Sequence, residues 1–276
     1  MPLALDDPAW GTLPDAYGHT ETGQRIARLT EQWDAEEAND LFWSCLCHQD
    51  TLYPATFAAL PHIVALGGDL TGKPRRDIAG FLGYVGHVAQ QPIHVCGGMF
   101  DTPWTENPAQ WKNKGLESIL PEALALFPRI AELEEIAFLE EEDESAYHHA
   151  AGFLAAHGFD DLASFILCRE NGSFVCDSCG RLHEWILFGD RIAYYDDVSQ
   201  NDYGGMIVED VSLIDWKQGA PDHAAGFAVP RVLSDPALDC LRVLLAKRAD
   251  PITAALARFW RSGIGCATCD WTGELS

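Results

Sequence analysis

Four cysteines in two matched pairs are the residues of this chain best suited to chemistry. Cys176-Asp-Ser-Cys179 and Cys266-Ala-Thr-Cys269 share the C-x-x-C spacing. Cys179 is followed at once by Gly180 and Cys269 by Asp270, both turn formers. Such a turn points successive thiolates at one place, as a zinc ion with sulfurs at about 2.3 Å requires. One pair alone would serve equally well as a redox motif. Two pairs argue for a single four-sulfur Zn2+ site, which is structural because no coordination position stays open to water. Cys179 and Cys266 are separated by 86 residues, far more than in a compact zinc ribbon. The chain between them must therefore fold back. Two other readings use the same residues. Each pair can form a redox disulfide, or His183 can replace a cysteine and leave one position open for catalysis. The sequence has no HExxH frame and no histidine placed before a C-x-x-C pair as in zinc deaminases. It also lacks a P-loop and a G-x-S-x-G elbow.

The remaining thiols read differently. Nine cysteines cannot all pair internally, and close pairs in a cytosolic chain indicate metal before disulfide. Cys45, Cys47, Cys96, Cys168 and Cys240 sit mostly among apolar residues and read as small buried hydrophobes. His94 reads as a loop residue, and His148 and His149 as the start of a surface helix after the acidic run at 140–144.

The elements that must position the cysteines are mostly helical. Residues 41–67 read as the end of one helix, a polar connector and a second helix. Leu41, Phe42, Cys45 and Leu46 form one apolar stripe, and Phe57, Leu60 and Val64 another. Pro54 suits a first helical position, Pro61 predicts a kink, and Gly67–Gly68 predict the stop. Asp34 is an expected N-cap. Residues 71–90 predict a helix with Ile78, Phe81, Leu82, Val85 and Val88 on one face. Its glycines at 80, 83 and 86 predict close approach of another backbone. Helical segments follow over 108–138, 146–157 and 160–167. From residue 170 the texture turns to β, with a hairpin expected from Trp185–Phe188 and Ile192–Tyr195, and a further strand within 206–216. Asp235-Pro236 and Asp250-Pro251 each predict an N-cap followed by proline at the first helical position.

The chain holds 42 Asp and Glu against 18 Lys and Arg, a formal charge of -24. That field repels nucleic acid and anionic lipid and draws in cationic surfaces. Residues 170–225 carry 11 acidic and 3 basic residues. Asp196, Asp197 and Asp202 with Tyr194, Tyr195, Tyr203 and Trp216 form the expected partner-binding surface, aromatic anchors among carboxylates. The same aromatics would also serve to fill a small sheet. No run approaches the roughly 18 apolar residues of a membrane span, and MPLALDDPAW lacks the features of a signal peptide, so a cytoplasmic location is expected.

Trp10, Asp15-Ala-Tyr-Gly18, His48-Gln49, Leu52-Tyr-Pro-Ala-Thr56 and Ala59-Leu60-Pro61, in that order, resemble the opening of a bacterial HEAT-repeat-like family. The resemblance covers residues 9–66 well and 67–168 loosely. It implies stacked helical hairpins and a binding scaffold, and several such proteins are immunity proteins encoded beside polymorphic toxins. The expected fold is therefore mainly α: a HEAT-like α-α solenoid (1–168), a zinc-stapled, β-containing acidic insertion (169–232), and a C-terminal helical pair with the second cysteine knuckle (233–276). The expected function is non-enzymatic binding of a cognate basic toxin domain, such as a nuclease. A zinc-dependent or thiol-redox enzyme, or an adaptor in a bacterial assembly, are the alternatives.

Overall fold

The structure is a computed structural model that describes residues 2–18, 20–49, 51–90, 117–142, 146–168, 171–180, 182–188, 191–196, 226–228, 230, 234–265, 269 and 272–274. It is mainly helical, with small antiparallel sheets, and divides into two compact units, Met1–Ala163 and Ser164–Ser276. The division falls inside a helix a little before the expected 168/169 boundary. Residues 169–232 and 233–276 fall within one unit, because both contribute strands and thiols to the same assembly.

Unit 1 begins with a 3-10 turn, Pro8–Thr12, capped by Asp7, and continues with α1 (Thr22–Glu31) and α2 (Ala35–Asp40). Asp34 caps α2 by accepting from the Glu36 and Glu37 N–H groups. Arg25 of α1 reaches Glu37 at 2.7 Å and Asp40 at 2.7 Å, clamping the two helices together. Leu41–Leu46 is a π-helix, and it runs into a two-residue ladder of β1 (Cys47–His48) and β2 (Thr51–Leu52). The expected plain connector is thus a minimal hairpin, turned by Gln49 at φ 47.

Next come α3 (Pro54–Asp69) and α4 (Lys73–Gln90). Thr56 fastens the start of α3: its Oγ1 accepts from the Tyr53 N–H and donates to the Leu46 carbonyl. The α3 helix continues through Pro61 and past Gly67 and Gly68. Gly67 serves packing instead of stopping the helix, since a Cβ there would lie 2.8 Å from Ile78 Cγ2. The unit continues with α5 (Ile119–Leu124), α6 (Phe127–Glu140), α7 (Ala146–Ala156) and the start of α8 (Asp160–Leu167).

Helices α4, α6 and α7 pack mutually and form the heart of unit 1. Ile78, Phe81, Leu82, Val85 and Val88 are buried from α4, as the apolar stripe predicts, against Ile130, Leu133 and Phe138 of α6 and Leu154 of α7. Each such side chain contributes about 1.5–3 kcal/mol by leaving water. The predicted close approach is present: a Cβ on Gly83 would lie 2.7 Å from Gly152 Cα of α7.

Unit 2 contains a four-stranded antiparallel sheet, β3 (Asn171–Val175), β4 (Leu182–Phe188), β5 (Arg191–Asp196) and β6 (Gly226–Phe227), in that spatial order. The predicted hairpin is β4–β5, in the register Trp185↔Tyr194. Trp185 lies over its other cross-strand partner, Gly172, where a Cβ would meet the indole at 2.7 Å. Helices α9 (Pro236–Lys247) and α10 (Pro251–Phe259) follow, each capped by the predicted aspartate. A second hairpin, β7 (Gly263–Gly265) with β8 (Thr272–Glu274), ends the described chain. Phe165 joins the helical and sheet parts of this unit, 5.3 Å from Trp185 and 5.5 Å from Trp260 between ring centres.

Candidate metal centre

Cys176 and Cys179 lie in the turn between β3 and β4, and Cys269 lies in the turn between β7 and β8. Hairpin tips can present two thiols on one side with little backbone between them. At the first tip the Gly180 N–H donates to the Cys176 carbonyl at 2.8 Å, and Gly180 has φ +70. That left-handed conformation suits glycine, so the residue after the second cysteine closes the knuckle as its type predicts.

The sulfurs of Cys176, Cys179 and Cys269 lie within 4.8 Å of one another, and Cys176 Sγ is 3.7 Å from Cys269 Sγ. This spacing separates the chemistries. A disulfide needs about 2.05 Å between sulfurs. Two thiolates on one tetrahedral zinc at about 2.3 Å stand about 3.8 Å apart. The observed separation is too long for a disulfide and close enough for the thiols to hold one metal ion, and all three thiols are unbridged. Burial is graded: Cys176 is fully buried, Cys269 partly, and Cys179 is exposed.

Three of the four expected ligands thus come together across 93 residues, and Cys266 lies outside the described residues. His183 is not part of the cluster. It is buried in β4, with its ring stacked on Phe174 at 4.8 Å. Among the expected partner-binding residues, Tyr194, Tyr195 and Asp196 fall in β5. Asp197, Asp202, Tyr203 and Trp216 lie outside the described residues, as do His94, Cys96 and the strand expected within 206–216.

Three of the other thiols are poor nucleophiles. Burial pushes Cys45 up to about 11, even with Arg25 3.1 Å from its sulfur, and burial also raises Cys168 and Cys240. A thiol needs a lowered pKa to be reactive near neutrality; Cys45 and Cys47 are buried as expected, whereas Cys240 is half-buried and Cys168 is exposed, at the end of α8, instead of packed in the core.

A second polar cluster escaped the sequence reading. Glu134 of α6 is fully buried, and its Oε2 meets Nδ1 of His149, of α7, at 2.6 Å. His149 is itself 5% exposed and is a core residue, not the surface helix start that its sequence neighbours suggested. Burial raises Glu134 to about 7 against the opposing pull of His149. For His149 burial acts downward, but Glu134 and Glu141 together outweigh it and the net shift is upward. Glu141 faces the other ring nitrogen at 3.7 Å and pairs with Arg76 at 3.4 Å. One signal was present in the sequence: Glu134 occupies a position four residues from both Ile130 and Phe138, on the buried stripe.

No helix among the described residues is long and apolar enough to cross a membrane. No protein-family model matches the chain, and neither does any curated protein or solved structure.

Proposed function

We propose that this protein is a zinc-stapled binding protein whose acidic surface neutralises a cationic protein partner. The observation that carries the metal half is the three-thiol cluster assembled from two C-x-x-C pairs at zinc-like spacing. Cys266 supplies the fourth sulfur, and the closed site is structural: zinc holds the two hairpin tips of unit 2 and leaves no position for substrate. The raised thiols of Cys45, Cys168 and Cys240 also weigh against a cysteine enzyme.

The binding half rests on charge and resemblance. A field of -24 accelerates association with a basic partner. The N-terminal resemblance supports a HEAT-like solenoid for unit 1 and an immunity protein facing a cognate toxin domain, such as a basic nuclease. The acidic segment around Asp196, Asp197 and Asp202 is the preferred contact, with Tyr194, Tyr195, Tyr203 and Trp216 as anchors.

Elemental analysis of protein purified without metal-affinity resin tests the metal. One zinc per chain is expected, and zinc far below that with four titratable thiols would refute it. Coexpression with the protein encoded by the neighbouring reading frame tests the partner. A basic protein should copurify, and Lys at positions 196, 197 and 202 together should slow its association. Unchanged association in that variant would refute the proposed contact.

A further inference from the structure

Besides sharing a metal, the three clustered sulfurs of unit 2 are placed to react with one another. Cys176, Cys179 and Cys269 lie within 4.8 Å of one another, and Cys176 Sγ stands 3.7 Å from Cys269 Sγ. Exposure separates their roles. Cys179 is exposed, Cys269 is half-buried and Cys176 is fully buried. An oxidant arriving from solvent therefore meets Cys179 first, while Cys176 is within reach of its neighbours' sulfurs. Spacing along the chain alone would close each C-x-x-C pair on itself. The fold instead sets the buried sulfur of the first pair against a sulfur of the second, carried on the other hairpin.

We propose that this centre is a peroxide-responsive switch, in which oxidation through Cys179 expels the metal and leaves a Cys176–Cys269 disulfide in its place. The Cys179 thiolate attacks one oxygen of hydrogen peroxide. The O–O bond breaks, hydroxide leaves, and Cys179 becomes a sulfenic acid. The Cys176 thiolate then attacks the Cys179 sulfur, so that an S–S bond forms and the S–O bond breaks, releasing a second hydroxide. Two protons from solvent turn both hydroxides into water. Two sulfurs have given up two electrons, and the peroxide has taken them. Finally the Cys269 thiolate, 3.7 Å from Cys176 Sγ, attacks Cys176 and displaces Cys179 as a thiolate.

Exchange settles on this last bond because exposed disulfides are the labile ones. A bond at Cys179 stays open to soluble thiols, whereas one between Cys176 and Cys269 is shielded by their burial. Zinc binds thiolates and not disulfides, so losing two sulfurs releases it. The two hairpin tips stay joined across 93 residues, now covalently. The release rests on the zinc reading above, but the disulfide needs only the three thiols.

The test treats the purified full chain with hydrogen peroxide, alkylates the remaining thiols and maps tryptic peptides without reduction. Cleavage after arginine leaves Cys176 and Cys179 together in residues 170–181, and Cys266 and Cys269 together in residues 262–276. A bond within a pair keeps these peptides separate, and a bond between hairpins joins them. Zinc, followed with a chromogenic chelator, should leave in step with the joined peptide, and dithiothreitol should separate the peptides again. Cys179→Ser with Cys266→Ser retains only Cys176 and Cys269 in the two pairs. That variant should still form the joined peptide, about tenfold more slowly than metal-free wild type, because the exposed entry thiol is gone. Peptides that stay separate, a link made through Cys168 instead, equal rates in variant and metal-free wild type, or zinc retained alongside the joined peptide would each overturn the proposal. If the chain holds no zinc as isolated, the metal reading fails and the release with it, and the joined peptide alone decides the disulfide.

Discussion

Glu134 shows how one carboxyl can set the pH behaviour of a core. Its folded value of about 7 lies above the ordinary 4.5, so the folded chain holds this proton more tightly than the unfolded chain. The stability it supplies is complete below about pH 4.5 and is lost as pH rises to about 7. His149 is also shifted up, so its contribution falls in the same direction. Glu37 and Asp40 are held below their ordinary values by hydrogen bonds from Arg25, and they lose stability only at the acid end. Wild-type protein should therefore lose on the order of 3 kcal/mol relative to Glu134→Gln between about pH 5 and 7.5, since each tenfold difference in proton affinity is worth about 1.4 kcal/mol. Urea unfolding at a series of pH values measures this, and parallel curves would refute it. The neighbouring glycines make a paired prediction. Alanine gains up to about 1 kcal/mol of helix propensity over glycine. At Gly86 a Cβ meets Ala156 N at an ordinary 3.9 Å, so Gly86→Ala should raise the melting temperature. At Gly83 it would press on Gly152 Cα at 2.7 Å and on Glu134. Overpacking costs about 1–3 kcal/mol, so Gly83→Ala should lower the melting temperature.

Among the elements, the Asp-Pro starts of α9 and α10 were legible because a cap is a local arrangement. Asp250 accepts from the Thr253 N–H at 2.7 Å, and Asp235 from the Ala237 N–H at 2.8 Å. Asp250→Ala should cost about 1 kcal/mol. Asp235→Ala should cost more, because its other oxygen also accepts from Trp260 Nε1 at 3.3 Å, tying α10 to the start of α9. Chemical denaturation of the two variants, with equal losses as the contrary result, checks this. The apolar stripe of α4 and the β4–β5 hairpin were legible for the same reason, since period and turn residues lie close in sequence. The end of α3 was misread because Gly67 faces Ile78 of another helix, and its role depends on a neighbour that its own sequence does not name. Glu134 was missed likewise: a charged residue on a buried stripe makes sense only once His149 arrives from α7. Both cysteine pairs could be read from spacing, but not the hairpin at Cys269, whose strands are three residues each.

For the whole molecule, the two units predict a divided response to loss of metal. Cys269→Ser, or chelation, should raise hydrogen exchange across residues 164–276 far more than across the α4, α6 and α7 core. Uniform loosening would contradict a staple confined to unit 2. The 93-residue span between Cys176 and Cys269 has a further consequence. With zinc in place, sulfur and metal join two parts of unit 2 that the backbone connects only the long way round, through both α9 and α10. A protease cut at Arg248–Asp250, between those helices, therefore leaves two polypeptides and one particle. Such a nicked protein should run as two bands in denaturing gels and as a single species in native ones, and it should come apart only when a chelator is added. Whether unit 2 persists as one body would then be decided by the metal and thiol chemistry of its surroundings, even after its covalent continuity is gone.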